Sequence, residues 1–315
     1  MAVLAIGAAA VIAVAVVMSG RPAPGGHPAS PAGQSGASRA PAGPAAVSLA
    51  ASHVSPAVTP VEMALHGTLA AGTGSASLKY GGTYLWDTVT GKVIAIVRDP
   101  AGSGGIGPIA FSPDGTTLAE VGVGTIYLWD IAARKFTATL PIPRGLDVTT
   151  LAFSPDGKAL ALVTGERLST VYLWDIAAGK VTATFANPSD YGVSCVAFAP
   201  GGTTVAVGQD TGAILLWDTR TGKVTAGPSG PRSDSGLWVG AIAFGPGGTL
   251  AAGGYSNGDT TYLWDATGTL IAAVTDPARR IGGRGQVLAL WFSPGGTTLT
   301  IGDGSGATYL WRITR

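Results

Sequence analysis

The chain has 315 residues, 46% of them hydrophobic and only 12% charged, enough apolar material for one large or two ordinary domains. A formal net charge of +1, with no run of Lys or Arg longer than two, gives no field that would hold nucleic acid or an acidic membrane surface. The single cysteine, Cys195, excludes an intramolecular disulfide and any multi-cysteine metal cluster and leaves the redox compartment open.

The first element, AVLAIGAAAVIAVAVVM at residues 2–18, is apolar throughout. A helix of that length spans roughly 25 Å, close to a bilayer core of ~30 Å, so the sequence predicts a single-pass membrane anchor. A cleaved export signal is the alternative, although no Lys or Arg stands ahead of the apolar run. A truncated or misassigned start is a third reading, and Arg21 beyond the run argues weakly against export. Residues 19–45 are small residues and prolines with almost nothing to bury, which predicts a disordered, partly extended spacer.

From residue 46 onward the chain repeats itself. TYLWD ends at Asp87, IYLWD at Asp130, VYLWD at Asp175, ILLWD at Asp218, TYLWD at Asp265 and TYLWR at Arg312. Their tryptophans, Trp86, Trp129, Trp174, Trp217, Trp264 and Trp311, are 43, 45, 43, 47 and 47 residues apart, a period that marks a repeat architecture. Upstream of five of them stands a second signature: IAFSPDG (109–115), LAFSPDG (151–157), VAFAPGG (196–202), IAFGPGG (242–248) and LWFSPGG (290–296). The first repeat has a degenerate MALHG at 63–67. Each repeat offers four short strands, a to d, none able to bury its faces alone, and 49 glycines and 21 prolines supply turns and spacer. In the third repeat these strands are predicted at 148–154, 159–164, 170–175 and 180–185. Pro100, Pro143, Pro188, Pro231 and Pro277 are expected to end the outermost strands, since proline cannot donate to a ladder.

The Trp-Asp dipeptides and Phe-Ser-Pro-Asp-Gly turns resemble the WD-repeat (WD40) β-propeller family over residues 46–315, in a membrane-anchored bacterial form. The resemblance implies an all-β, six-bladed, monomeric propeller whose strands a to d run outward from the axis. The strand-c tryptophans would fill the space between neighbouring sheets. No outer strand follows the sixth strand c, and AVSLAASH (46–53) lies at the right distance to supply it beside residues 307–312, as in many propellers of this family. One departure matters: the His and Ser of the usual buried network are not in register, and Asp210 and Asp303 alone look like its turn Asp. The blades are therefore expected to depend on apolar packing.

Little in the sequence supports catalysis. His27, His53 and His66 all precede the second repeat, so no His-based catalytic or metal cluster is expected, nor any cofactor. Of fifteen Asp and three Glu, five Asp sit in Trp-Asp pairs and Asp114 and Asp156 in turns. Each d-to-a connection also carries an aspartate: Asp99, Asp147, Asp190, Asp234 and Asp276. Arg98, Arg144, Arg232, Arg279, Arg280 and Arg284 share four of those loops. Turn hydrogen bonding is the plain role for such residues, and partner contact the functional one. Trp238, Tyr191 and Tyr255 are candidate exposed aromatics on neighbouring loops, and with Asp99, Asp147, Asp190, Asp234, Asp276 and Arg279 they make up the candidate partner-binding face. Trp291 reads as packing at the closing blade and Cys195 as a buried, inert thiol.

The sequence thus predicts a propeller scaffold for protein or peptide partners, tethered to a membrane through residues 2–18 and facing the extracytoplasmic side, with secreted or cytoplasmic placement as alternatives. It could instead be the sensor domain of a signalling protein, because similar propellers follow a transmembrane helix and Pro-rich spacer in bacterial receptor-type Ser/Thr kinases. A propeller enzyme is the remaining alternative, disfavoured by the scarcity of convergent His, Glu or metal ligands.

Overall fold

A computed structural model describes residues 46–54, 62–73, 82–98, 100, 107–142, 146–165, 169–189, 191–229, 238–255, 260–275 and 286–314, the side chains of 53, 54, 62 and 255 excepted. The expected anchor at 2–18 and spacer at 19–45 lie outside these residues. Among the described residues no helix is long and apolar enough to cross a membrane, so the predicted N-terminal helix is no part of the fold described below.

The described elements are 24 strands in six four-stranded antiparallel sheets. Blade 3 shows the pattern: Val148–Phe153, Ala159–Thr164, Thr170–Asp175 and Lys180–Ala186 pair in that order, so chain order and sheet order coincide. Its neighbours begin with the a strands Glu62–His66, Ile109–Phe111, Val193–Phe198, Trp238–Phe244 and Val287–Phe292. Each a strand touches the next, and the last touches the first, so the six sheets close a ring as a propeller.

Closure comes from the two ends of the repeat region. Ala46–Val54 pairs antiparallel with Ala307–Thr314, from Ala46 opposite Thr314 to Val54 opposite Ala307, and so forms strand d of blade 6. Its register reproduces that of an ordinary outer strand. In blades 1, 2, 3 and 5 the c–d ladder slips by one residue between the Leu and the Trp of the repeat: Leu85 faces Ala95 and Trp86 faces Val93, Leu173 faces Ala183 and Trp174 faces Val181. In blade 6 Leu310 faces Ala51 and Trp311 faces Leu49, with the same slip at Ala50. Such a bulge bends the outer strand and increases its twist, which sets the angle at which it lies over its neighbour.

The a-to-b turns explain the Pro-Asp-Gly spelling. The Gly115 N–H closes the turn on the Ser112 carbonyl at 2.9 Å with φ +69°, a left-handed conformation that costs glycine nothing. Neighbouring turns also interlock: a Cβ at Gly157 would touch Pro113 of the preceding blade at 3.8 Å, and one at Gly202 would touch Pro155 at 3.9 Å.

The prolines do not all act as the sequence reading assigned them. The outer strand of blade 2, Lys135–Pro141, ends on a proline two residues earlier than expected, and that of blade 4, Val224–Ala226, stops ahead of Pro228. An edge strand tolerates a terminal proline because the ladder makes no demand on its missing N–H. Pro100 and Pro188 lie beyond the ends of their strands, while Pro143, Pro231 and Pro277 are outside the described residues.

Candidate functional site

The repeat dipeptides are structural in a specific sense. Trp86, Trp129, Trp174, Trp217 and Trp264 are buried between sheets, whereas Trp311 of the closing blade is partly exposed. Each following aspartate caps the c-to-d turn. Asp87 Oδ1 accepts the N–H groups of Val89 (3.1 Å) and Thr90 (2.7 Å), Asp130 that of Ala133 (2.7 Å) and Asp175 that of Ala178 (2.7 Å). Asp218 takes Arg220 (3.0 Å) and Thr221 (2.8 Å), and Asp265 takes Thr267 (2.9 Å) and Thr269 (3.0 Å). The Thr90 and Thr221 N–H groups hold the Asp87 and Asp218 carboxyls below the usual carboxylate range. Arg312 stands in this place in blade 6, whose outer strand comes from residues 46–54, so no c-to-d turn needs a cap there.

The six a strands wall a central cavity of about 280 Å³, lined by 63–65, 108–111, 150–153, 194–198, 240–244 and 288–290. Among the described residues that wall contains no Asp, Glu, His, Lys or Arg. Cys195 lines it but is buried; its Sγ lies 3.4 Å from the Val239 carbonyl, and burial pushes the thiol up to about 12. A thiol so placed stays protonated and is a poor nucleophile. Ser194 Oγ donates to the same carbonyl at 2.6 Å, which ties the a strands of blades 4 and 5 together at their loop end. Among the described residues no group of three or more His, Cys, Asp or Glu could hold a metal ion.

On the loop face, Tyr191 is 58% exposed and Trp238 is 43% exposed, on adjacent blades. Trp238 is not a loop residue, as the sequence suggested, but the first residue of its a strand, register partner of Tyr255 on strand b. Asp147 is exposed beside the start of blade 3. Asp99, Asp190, Asp234, Asp276 and Arg279 lie outside the described residues.

Beneath Tyr191 is a buried polar cluster for which the sequence reading made no provision. The Asn187 Nδ2 amide donates to the Tyr191 carbonyl at 2.6 Å, and Gln209 Nε2 donates to Asn187 Oδ1 and Ser189 Oγ, both at 2.8 Å. Gln209 comes from the end of strand b and the other two from the d-to-a loop. The expectation of little polar bonding inside the blades therefore needs correcting at this point. Of the two proposed turn aspartates, Asp303 is buried and accepts the N–H groups of Ser305 (2.9 Å) and Ala307 (3.0 Å), but Asp210 is exposed and its neighbour Gln209 does the bonding. Buried polar bonding recurs between blades 1 and 2, where Thr83 Oγ1 donates to Glu120 Oε1 at 2.8 Å, and beside blade 3, where Ser169 Oγ accepts the Val193 N–H at 3.0 Å. The tryptophans stay outside it in blades 3 and 6: Trp174 Nε1 and Trp311 Nε1 are buried with no hydrogen-bond partner.

At the ring closure, Leu65 takes the place that Phe111, Phe153, Phe198, Phe244 and Phe292 hold in the other a strands, and His66 follows it where those blades have Ser112, Ser154, Ala199, Gly245 and Ser293. The His66 ring lies edge-on to Trp291 of blade 6, centroids 5.7 Å apart, and 6.2 Å from Phe111 of blade 2. Trp291 is thus packed across the closing joint. Burial lowers the His66 pKa, partly offset by the nearby Asp114 carboxylate.

Residues 134–175 and 179–218 match the family model for the WD domain, G-beta repeat. Each stretch begins at strand d of one blade and ends at strand c of the next, the same offset that lets residues 46–54 close the ring. The chain therefore carries WD40 repeats in a six-bladed propeller, an architecture generally used as a protein-interaction scaffold. No curated protein matches the chain.

Proposed function

We propose that this protein is a non-catalytic platform that binds protein or peptide partners through the face carrying its d-to-a loops. The observation that carries the reading is the pair of exposed aromatics, Tyr191 and Trp238, on adjacent blades, the first held by the Asn187–Ser189–Gln209 cluster. Aromatic side chains on a rigid frame supply much contact area at low entropic cost, which is why they dominate protein interfaces. Asp147 and the loop residues Asp99, Asp190, Asp234, Asp276 and Arg279 would supply the polar rim. Among the described residues the wall has no acid or base side chain and its one thiol is protonated, which supports binding over catalysis.

The test is in-cell crosslinking of the full chain followed by comparison with Tyr191→Ala and Trp238→Ala. Both substitutions should abolish capture of the same partner while leaving the melting temperature unchanged; a partner set untouched by either would reject the loop face. The same reading holds the propeller at a membrane through residues 2–18, on the extracytoplasmic side. Protease treatment of intact cells tests it: degradation of the propeller supports that side, and survival until the membrane is opened overturns it.

A further inference from the structure

The geometry points to a second docking surface, on the outer edge of blade 1: strand d, Val93–Val97, accepts an extended partner segment that is apolar in its middle and acidic at both ends, adding it to the sheet as a fifth strand. Among the described residues this strand pairs only with strand c of its own blade, Thr83–Asp87, so its other edge is open.

Every blade has such an edge, and this one differs at an exposed position. Strand d residue Ile96 faces Tyr84, two places before the repeat tryptophan. The residues in that register in the other blades are Thr139, Thr184, Ala226, Ala273 and Ser52, all small or polar. Ile96 is 42% exposed, and Val93 and Val89 near it are 40% and 57% exposed. Three branched apolar side chains thus stand in water along one short stretch of edge, where burial by a partner is favourable.

The main chain at Ile96 is turned outward as well. In blade 2 the Ile142 N–H donates to the Gly124 carbonyl at 3.0 Å, and in blade 3 the Asn187 N–H donates to the Ser169 carbonyl at 3.1 Å. Stepping back two residues at a time along these antiparallel ladders makes Leu128–Ala138 and Leu173–Ala183 hydrogen-bonded pairs, as is the equivalent Leu85–Ala95 in blade 1. Thr139, Thr184 and Ile96 are the residues in between, so their N–H and C=O groups point away from strand c. The next outward position in blade 2 is Pro141, which has no N–H to offer; in blade 1 it is Arg98. The blade 1 edge therefore supplies both backbone groups and apolar side chains, the two things that strand addition uses.

Charge decides the occupant. Lys92 and Arg98 bracket the strand, both exposed, and among the described residues neither forms an ion pair. They stand roughly 20 Å apart along the chain at ~3.4 Å per residue, the reach of a seven-residue extended segment. A second copy is a poor fit: antiparallel pairing of all five apolar residues about Ala95 sets Lys92 of each copy opposite Arg98 of the other, and like charges directly opposite are destabilising. The same two cations favour a segment with a carboxylate at each end. This surface goes beyond the loop-face reading and does not depend on it.

The probe is the fluorescein-labelled peptide Gly-Glu-Val-Thr-Val-Thr-Val-Glu-Gly, titrated by anisotropy against the full chain at low salt, beside the same peptide with Lys for both Glu. The Glu peptide should bind about tenfold more tightly than the Lys peptide, and Lys92→Glu/Arg98→Glu should invert that preference. If the charge-reversed chain fails to fold, Lys92→Gln/Arg98→Gln should make the two peptides bind alike. Ile96→Thr, which gives the edge the residue of blades 2 and 3, should weaken the Glu peptide about fivefold and leave the melting temperature unchanged. No binding of the Glu peptide, equal binding of the two peptides to the parent, a preference that charge reversal does not invert, or affinity indifferent to Ile96→Thr overturns the proposal. So does a parent that sediments as a dimer and becomes a monomer with Ile96→Thr, since the edge then belongs to a second copy. Tyr191→Ala/Trp238→Ala should leave this binding intact, so the failure of one surface is distinguishable from the failure of the other.

Discussion

Blades 3 and 6 have the same four-stranded sheet but opposite covalent connections. Blade 3 is one unbroken run from Val148 to Ala186, whereas blade 6 takes three strands from 287–314 and its fourth from Ala46–Val54. The geometry hardly notices. The c–d slip beside the tryptophan is the same, between Leu173 and Trp174 in one and opposite Leu310 and Trp311 in the other. The side chains do differ. Where blade 3 has Ala152 and Ala161 in strands a and b, blade 6 has Trp291 and Thr300; where blade 3 has the capping Asp175, blade 6 has Arg312. Register is thus set by the repeat pattern, and composition is free to vary where a joint must be filled.

The largest effect should come from breaking the joint itself. Deleting residues 46–54 leaves Ala307–Thr314 as an unpaired edge and uncovers Tyr309 and Ile313, now buried against it. Because each blade is supported by its neighbours, the loss should spread round the ring. A destabilisation of about 5 kcal/mol or more is expected, about 10–20 °C in melting temperature. A synthetic AVSLAASHV peptide should restore the melt in a concentration-dependent way, as strand addition does. A deletion variant that melts like the parent would show that the closing strand is dispensable.

A smaller effect separates the tryptophans of the two blades. Trp174 is buried, so Trp174→Ala should cost about 3–5 kcal/mol, and the partly exposed Trp311 about half that. Since Trp174 Nε1 already lacks a partner, Trp174→Phe should give up no hydrogen bond and cost about 1.5 kcal/mol or less. Equal losses for both alanine variants in chemical denaturation would mean that the closing blade packs as tightly as the continuous one.

How far the sequence reaches follows the same divide. In blade 3 the predicted strands at 159–164 and 170–175 coincide with Ala159–Thr164 and Thr170–Asp175, because each begins beside a turn signal and ends where apolar alternation stops. The closing strand was legible from spacing alone. A more specific signal was present and passed over: the outer strands share a large apolar residue, any residue, then Ala, as in Val93-Ile94-Ala95, Phe136-Thr137-Ala138 and Val181-Thr182-Ala183, and Leu49-Ala50-Ala51 repeats it. The polar cluster was not legible. Asn187, Ser189 and Gln209 are unremarkable in the sequence and meet because a d-to-a loop folds back over the next blade's strand b. Connecting loops carry no period, so the loop face could be named by residue type but not assembled.

The smallest expected effect tests the joint from its first blade, where His66 stands in the position that the other blades give to Ser112, Ser154, Ala199, Gly245 and Ser293. Burial between Trp291 and Phe111 favours the neutral ring, so the folded state holds the His66 pKa below the ordinary value of 6.5. The unfolded chain then binds the proton more readily. His66's contribution to stability is complete above about pH 6.5 and is lost as pH falls through the depressed folded value. Asp114 opposes the shift by attracting the imidazolium, which limits the size of the effect. His66→Phe should remove this part of the acid sensitivity between pH 7 and 5, measured as the difference between the two melting curves. It should also leave the turn at Gly115 under strain, because a Cβ there would overlap the present ring and the larger phenylalanine has less room to give. A His66→Phe chain with the parent's full pH dependence would place the titrating group elsewhere, and would mean that the closing joint is as insensitive to protonation as the blades that carry no histidine there.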